Sequence, residues 1–165
     1  MTDLDRSKLA YRPCAGVLVF NRAGRVFVAS RVDTPGAWQM PQGGIDKGEA
    51  PADAALRELR EETGITSVEI VAATEDWVTY DFPDEILRAA GRGKWRGQKQ
   101  MWFACAFTGE DQEIDVIGAS DPEFDAWQWM DLDDVPKRIV PFKRAVYETV
   151  IEAFGTTVRA QQGVG

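Results

Sequence analysis

The sequence predicts a single domain of mixed α and β structure. Three observations carry that expectation. The chain has 165 residues, enough for one well-filled core and too few for two ordinary domains. Its apolar residues fall in short runs separated by turns rich in Gly, Pro and Asn, the pattern of strands. Two segments, 51–63 and 141–154, begin with proline and end before glycine, as helices do.

Taken in order, residues 1–10 are polar and read as a loose arm. Residues 14–20 form an apolar strand rich in Val. The Asn-Arg-Ala-Gly turn at 21–24 joins it to a second strand, 25–32, and the two make a hairpin. Pro35-Gly36 marks a loop at 33–37. A short strand at 38–40 enters the Pro41-Gln42-Gly43-Gly44 turn, and a charged, glycine-rich loop follows to Ala50. The helix at 51–63 has Pro51 at its first position and Gly64 just past its end. Residues 68–73 and 77–82 read as strands. The segment 83–99, with Gly91, Gly93 and Gly97, reads as a long loop, and loops of that length in compact domains are usually functional. Residues 100–108 suit a central strand, 110–122 an irregular acidic stretch and 124–130 a further strand. The second helix, 141–154, ends at Gly155, leaving a frayed tail at 156–165. No repeat and no linker marks a second domain.

Composition excludes several classes of function. Hydrophobic residues are 44% and charged residues 28%, which is ordinary for a globular protein. Nineteen basic residues against 27 acidic ones leave a formal charge of −8, which weighs against generic nucleic-acid binding but not against a local basic groove. There is no histidine. That removes Ser-His and Cys-His catalysis and imidazole-bearing zinc sites, so acid-base and metal chemistry must use carboxylates. Cys14 and Cys105 sit in apolar runs without metal-binding spacing and read as buried free thiols. No segment resembles a signal peptide or a bilayer span, so the expected compartment is the cytoplasm.

The chemistry concentrates on the first helix. On a wheel of 100° per residue, Ala52, Ala55, Leu56 and Leu59 form the expected core face. Glu58, Glu61 and Glu62 share an arc of roughly 100° beside it. Like charges at this spacing destabilise a helix by about 0.2–0.5 kcal/mol per pair. A solvated helix end tolerates such a cluster, whereas a bound divalent cation would reverse its sign. An all-oxygen set selects a hard ion, Mg²⁺ or Mn²⁺, over zinc.

Read from Gly43, the sequence continues with five residues, Glu49, seven residues, then Arg57-Glu58-Leu59-Arg60-Glu61-Glu62-Thr63-Gly64-Ile65. This resembles the Nudix box, G-x5-E-x7-R-E-U-x-E-E-x-G-U with U apolar, at every position. Seven fixed identities give a chance match on the order of 10⁻⁸ per register. The resemblance implies the Nudix fold, a mixed β-sheet between α-helices with the box as loop-helix-loop. It implies hydrolysis of a nucleoside diphosphate linked to another group. By the same resemblance Glu58, Glu61 and Glu62 hold the metal, Arg57 pairs with Glu49 to fix the box, and Gly43, Gly44 and Gly64 shape its turns. No organic cofactor and no obligate protein partner is implied.

The resemblance extends over about residues 11–154. YRPCAGVLVFNRAGRV, WQMPQGGIDKGE, GQKQMWF, PEFDAWQWM and VPFKRAVYETV together resemble the branch that removes pyrophosphate from 5′-triphosphorylated RNA. The same branch includes hydrolases of asymmetric dinucleoside polyphosphates such as diadenosine tetraphosphate, which stand as the alternative. Glu123 matches an additional metal-side glutamate, as ligand or base. It otherwise lies in a run of ten acids, from Glu110 to Asp134, with no Lys or Arg. Arg12 and Arg31 match contacts to the triphosphate or RNA, and Phe142 with Lys143 matches a pair that holds a base near the 5′ end. Gln39, Gln42 and Gln98 are further substrate-binding candidates. Two basic groups flank the acidic site in sequence: Arg88, Arg92, Lys94, Arg96 and Lys99, and then Lys137, Arg138, Lys143 and Arg144. Trp95 in the first could stack on a base. The loop at 33–37 is one residue longer than in close relatives, which bears on nucleotide preference and not on the metal helix.

Overall fold

The computed structural model describes residues 6–89, 94–118 and 122–162. Its centre is one mixed eight-stranded sheet. The strands are β1 (Ala10–Phe20), β2 (Arg25–Arg31), β3 (Trp38–Gln39), β4 (Gln42–Gly44), β5 (Val68–Ala73), β6 (Val78–Asp81), β7 (Trp95–Phe107) and β8 (Phe124–Asp131). The main path runs β3-β2-β1-β7-β5, with β4 beside β1, β6 beside β7 and β8 beside β2. β1 and β7 are parallel along their whole shared length, from Ala10 against Trp95 to Phe20 against Ala106, and the other pairs are antiparallel.

Helices cover both faces, as the period-two pattern of β1 requires. Val17 and Val19 join Ala54, Ala55 and Leu59 of α1 (Pro51–Thr63), together with Phe103 and Cys105. Leu18 and Phe20 turn the other way, toward Val146, Val150, Phe154 and Val158 of α4 (Arg144–Gln162) and Trp102. Strands buried on both faces read as continuous apolar runs, and β1 and β7 do. Two short helices, α2 (Asp84–Ala89) and α3 (Val135–Arg138), complete the set described.

α1 begins and ends where the sequence predicts. Gly64 takes φ 75° and donates its N–H to Arg60 O, the left-handed stop that glycine adopts without steric penalty. Its orientation differs from expectation. Ala54, Ala55, Leu59 and Thr63 are buried, while Leu56 is 37% exposed over a groove with Ile65 and Val68. The small side chains of Ala54 and Ala55 let the helix approach the sheet on that side. The buried arc is therefore turned toward Glu58 and Glu62, which face the interior.

Other expectations shift as well. β1 and β2 form a hairpin only at its tip, where Phe20 faces Val26 and Asn21 N–H reaches Arg25 O. Beyond the tip β4 pairs with β1, and β8 takes the length of β2. The expected loop at 83–99 contains α2 and the start of β7, because pairing with β1 and β6 draws residues 95–99 into the sheet. The second helix starts three residues later than predicted, after a 3-10 turn at Pro141–Lys143. It passes through Gly155, which lies against Leu132, and continues to Gln162 with Val158 fully buried. Residues 156–162 are thus helical where a frayed tail was expected. Cys14 and Cys105 are buried free thiols, and burial pushes them up to about 11 and about 12 respectively.

Candidate active site

Arg57 ties the loop before α1 to the helix itself. Its Nε and Nη2 donate to the two carboxylate oxygens of Glu49, each at 2.8 Å. Nη2 also reaches Gly44 O at 2.9 Å. Nη1 reaches Glu58 Oε1 at 2.9 Å and Glu61 Oε2 at 3.3 Å. A planar guanidinium supplies five donors in a fixed fork, a geometry that lysine cannot reproduce. Glu49 also accepts Asp46 N–H at 3.0 Å, and with Arg57 this lowers its carboxyl to about 2. Gly43 is needed for close approach: a Cβ there would lie 2.2 Å from the Glu58 carboxyl carbon.

Glu58 and Glu62 project from the inward face of α1 into one cleft of about 630 Å³. Burial raises the pKa of both. Glu62 is pushed up to about 9, first by burial and then by the neighbouring carboxylates of Glu123 and Glu58, against one N–H bond from Gln42. Two buried oxygens in this region, Glu62 Oε2 and Gln42 Oε1, have no donor among the described residues. Among the described residues no three acidic, His or Cys side chains already stand as a metal cage. The half-buried, mutually repelling carboxylates of Glu58 and Glu62, with the unpaired Glu62 Oε2, nevertheless fit a hard divalent cation, which would replace repulsion with attraction.

The opposite walls carry cations and aromatic rings. Arg12, Arg31 and Lys143 line the cleft, with Gln39, Gln42, Gln98 and Glu123. Glu123 reaches it because β8 starts beside the end of β2, where Glu123 O accepts Val32 N–H at 3.0 Å. Arg12 stands so close to Gly44 that a Cβ there would meet its Nη2 at 2.4 Å. Lys143 lies 5.9 Å from the Tyr80 ring centre and 5.8 Å from that of Phe142. Burial lowers its pKa to about 8, aided by Arg31.

All seven substrate-binding candidates therefore meet at one cleft, with Glu58, Glu62 and Glu123. Glu61 does not line it. It faces solvent beside Arg57, its side chain 54% exposed. Lys94, Arg96 and Lys99 also lie outside the lining. Arg96 pairs with Asp81 at 3.0 Å and stacks on Tyr11, Lys99 lies over Trp77, and Lys94 lies over Trp95. Arg88 and Arg92 fall where no side chain is described. In the second basic group Lys137 pairs with Asp134 and Arg144 donates to Pro136 O.

Several lining residues escaped the sequence reading. Tyr80 and Phe82 form an aromatic wall with Phe142, at centroid separations of 5.8 and 5.9 Å from Tyr80. Their i, i+2 spacing at the end of β6 was the available signal. Asp33 accepts two bonds from Arg31, at 2.7 and 2.8 Å, and this pair lowers its carboxyl to about 2. It sits in the 33–37 loop, so that loop borders the cleft.

Comparison with known proteins agrees with this geometry. The NUDIX domain family model matches residues 10–150. An RNA pyrophosphohydrolase of Brucella abortus is 49% identical over 162 residues, covering 92% of this chain and 91% of its own. One from Sphingopyxis alaskensis is 54% identical over 158 residues, covering 94% and 99%. An Ap4A hydrolase of C. elegans superposes with a TM-score of 0.68 at 19% identity, over 90% of this chain and 98% of its own. The E. coli dihydroneopterin triphosphate pyrophosphohydrolase superposes at 0.66 with 23% identity, over 87% and 99%. These two structures share the fold.

Proposed function

Since the chain belongs to the Nudix family, we propose that it converts 5′-triphosphate RNA to 5′-monophosphate RNA, releasing pyrophosphate and opening the RNA to decay. It is a pyrophosphohydrolase. The observation that carries the RNA reading is identity of 49% and 54% to RNA pyrophosphohydrolases over more than nine-tenths of the chain. The cleft supports it, since Arg12, Arg31 and Lys143 suit a run of phosphates and Tyr80, Phe82 and Phe142 suit a base.

In this reading Glu58, Glu62 and Glu123 hold a divalent cation, Mg²⁺ or Mn²⁺. Glu61, which meets Arg57 through one oxygen at 3.3 Å, would join them by turning toward the cleft. When bound, the cation offsets the charge of the pyrophosphate and polarises the P–O bonds under attack. Glu62 takes its charged form when positive charge stands beside it. One cleft carboxylate accepts a proton from the attacking water as the new O–P bond forms and the P–O–P bridge between the RNA's 5′-phosphate and the departing pyrophosphate breaks. Arg57 keeps Glu58 and the loop in place, Arg12, Arg31 and Lys143 bind phosphate oxygens, and Gln39 and Gln42 donate to them. Phe142 stacks on a base near the 5′ end.

The test compares kcat/KM on a short 5′-triphosphate RNA and on diadenosine tetraphosphate, both with Mg²⁺. Preference for the RNA is expected. A clear preference for the dinucleotide would move the substrate to the alternative while leaving the cleft's chemistry as described.

A further inference from the structure

Three residues of β7 form a buried hydrogen-bond ladder that ends in the cleft. Trp102 Nε1 donates to Gln100 Oε1 at 2.8 Å, and Gln100 Nε2 donates to Gln98 Oε1 at 2.8 Å. The three alternate along one face of the strand and are 0%, 3% and 8% exposed. The direction of the ladder is forced from its inner end. An indole N–H donates and cannot accept. Gln100 must therefore turn its carbonyl to Trp102, which leaves its NH₂ for Gln98. Gln98 must turn its own carbonyl inward, so its NH₂ is the end left for the cleft. Reversing Gln98 alone would set NH₂ against NH₂ in a buried place and strand both donors.

The indole is itself held in place. Gly16 is its register neighbour on β1, and a Cβ there would lie 2.5 Å from the ring. Tyr147 meets the ring nearly edge-on at 5.8 Å, and the Tyr147 hydroxyl accepts Met40 N–H at 2.8 Å. At the outer end, the register partners of Gln98 are Arg12 on β1 and Tyr80 on β6. Register partners share a sheet face, so a guanidinium, an amide donor and an aromatic ring stand in a row.

We propose that Gln100 and Trp102 are positioning residues that hold Gln98 as an obligate donor to a phosphate oxygen beside Arg12. The inference rests on the polyphosphate substrate proposed above and adds the residues that set the polarity of its recognition. A phosphate oxygen, which only accepts, matches this point of the cleft, and a donating group does not.

Trp102→Phe removes the locking N–H without adding charge. Gln98→Glu turns the cleft end from donor to acceptor, and Gln98→Leu removes it. The readouts are kcat and KM on a 5′-triphosphate RNA, the Kd of inorganic tripolyphosphate by calorimetry, and a thermal melt. Trp102→Phe should raise KM and the tripolyphosphate Kd about threefold to tenfold with kcat within about twofold. Gln98→Glu should raise both at least about tenfold, with Gln98→Leu between the two. Should Trp102→Phe melt early, the side-chain ¹⁵N amide signal of Gln98 in the wild type gives a second reading. It should shift on addition of tripolyphosphate. Unchanged tripolyphosphate affinity in Gln98→Glu, or an unmoved Gln98 amide signal, would overturn the inference. A wild type inert toward RNA that binds tripolyphosphate through Gln98 would overturn the substrate proposal and leave the ladder standing.

Discussion

Glu62 is half-buried in the cleft wall with Glu58 and Glu123 beside it, and its buried Oε2 has no donor among the described residues. Burial of a carboxyl among carboxylates destabilises its charged form, so a bound divalent cation should stabilise the folded chain by mass action. Mg²⁺ is therefore expected to raise Tm in the wild type and to raise it less in Glu62→Gln; equal shifts would contradict the assignment. Gly43→Ala should displace the Glu58 carboxyl and lower kcat by about tenfold or more, since small misplacements in a catalytic site are expensive. Lys143 gives a pH test. It is flanked by Arg31, Asp33, Cys14 and Glu123, and its pKa falls from 10.5 to about 8. Its charge is present below that value and lost above it, so KM for a phosphate substrate should rise as pH passes 8. Lys143→Met should remove that inflection while raising KM at neutral pH. The same shift affects stability, because the unfolded chain binds the extra proton between pH 8 and 10.5, so this group's contribution rises with pH across that window.

At the scale of elements, the loop and helix of the box act as one unit through Arg57. Arg57→Ala should release Glu49, Glu58 and Gly44 O together and lower kcat/KM at least about tenfold, even though the arginine is not among the cleft residues. Glu49 titrates near 2 when paired, so the contribution of this pair is present above the ordinary glutamate range and is lost as pH falls toward 2. The box was legible residue by residue because its spacing is local, and α1 spans the expected 51–63. Its rotation was not legible. Leu56 and Ala54 differ in hydrophobicity in the wrong sense, and only the close approach of small side chains to the sheet decides which one is buried. Residues 95–99 looked like loop because their partners, β1 and β6, are distant in sequence. Gly155 looked like a stop because glycine usually is one, but packing against Leu132 and the buried Val158 beyond it carry α4 onward. Val158→Ala should therefore lower stability by about 1–2 kcal/mol in chemical denaturation, the scale of a truncated buried side chain. A change near zero would mean that the last turns contribute nothing.

For the whole molecule, one sheet between helices brings together groups that lie far apart in the chain. Arg12 from β1, Glu58 and Glu62 from α1, Tyr80 from β6, Gln98 from β7, Glu123 before β8 and Lys143 before α4 all line one cleft. The net charge of −8 conceals this, because the cations that line the cleft among the described residues are three of the chain's 19 basic side chains. The candidate residues were legible by resemblance, but their convergence was not, nor was the position of Glu61 outside the described cleft lining. Among the described residues no helix is long and apolar enough to cross a membrane. The central claim is that half-buried carboxylates of α1, opposite a cationic wall, drive hydrolysis of a triphosphate end. The most direct measurement is turnover of a 5′-triphosphate RNA by Glu62→Gln beside the wild type, with a thermal melt of each. The account predicts a loss of at least about 10²-fold in kcat with the fold retained. Turnover equal to the wild type in a folded Glu62→Gln would contradict it.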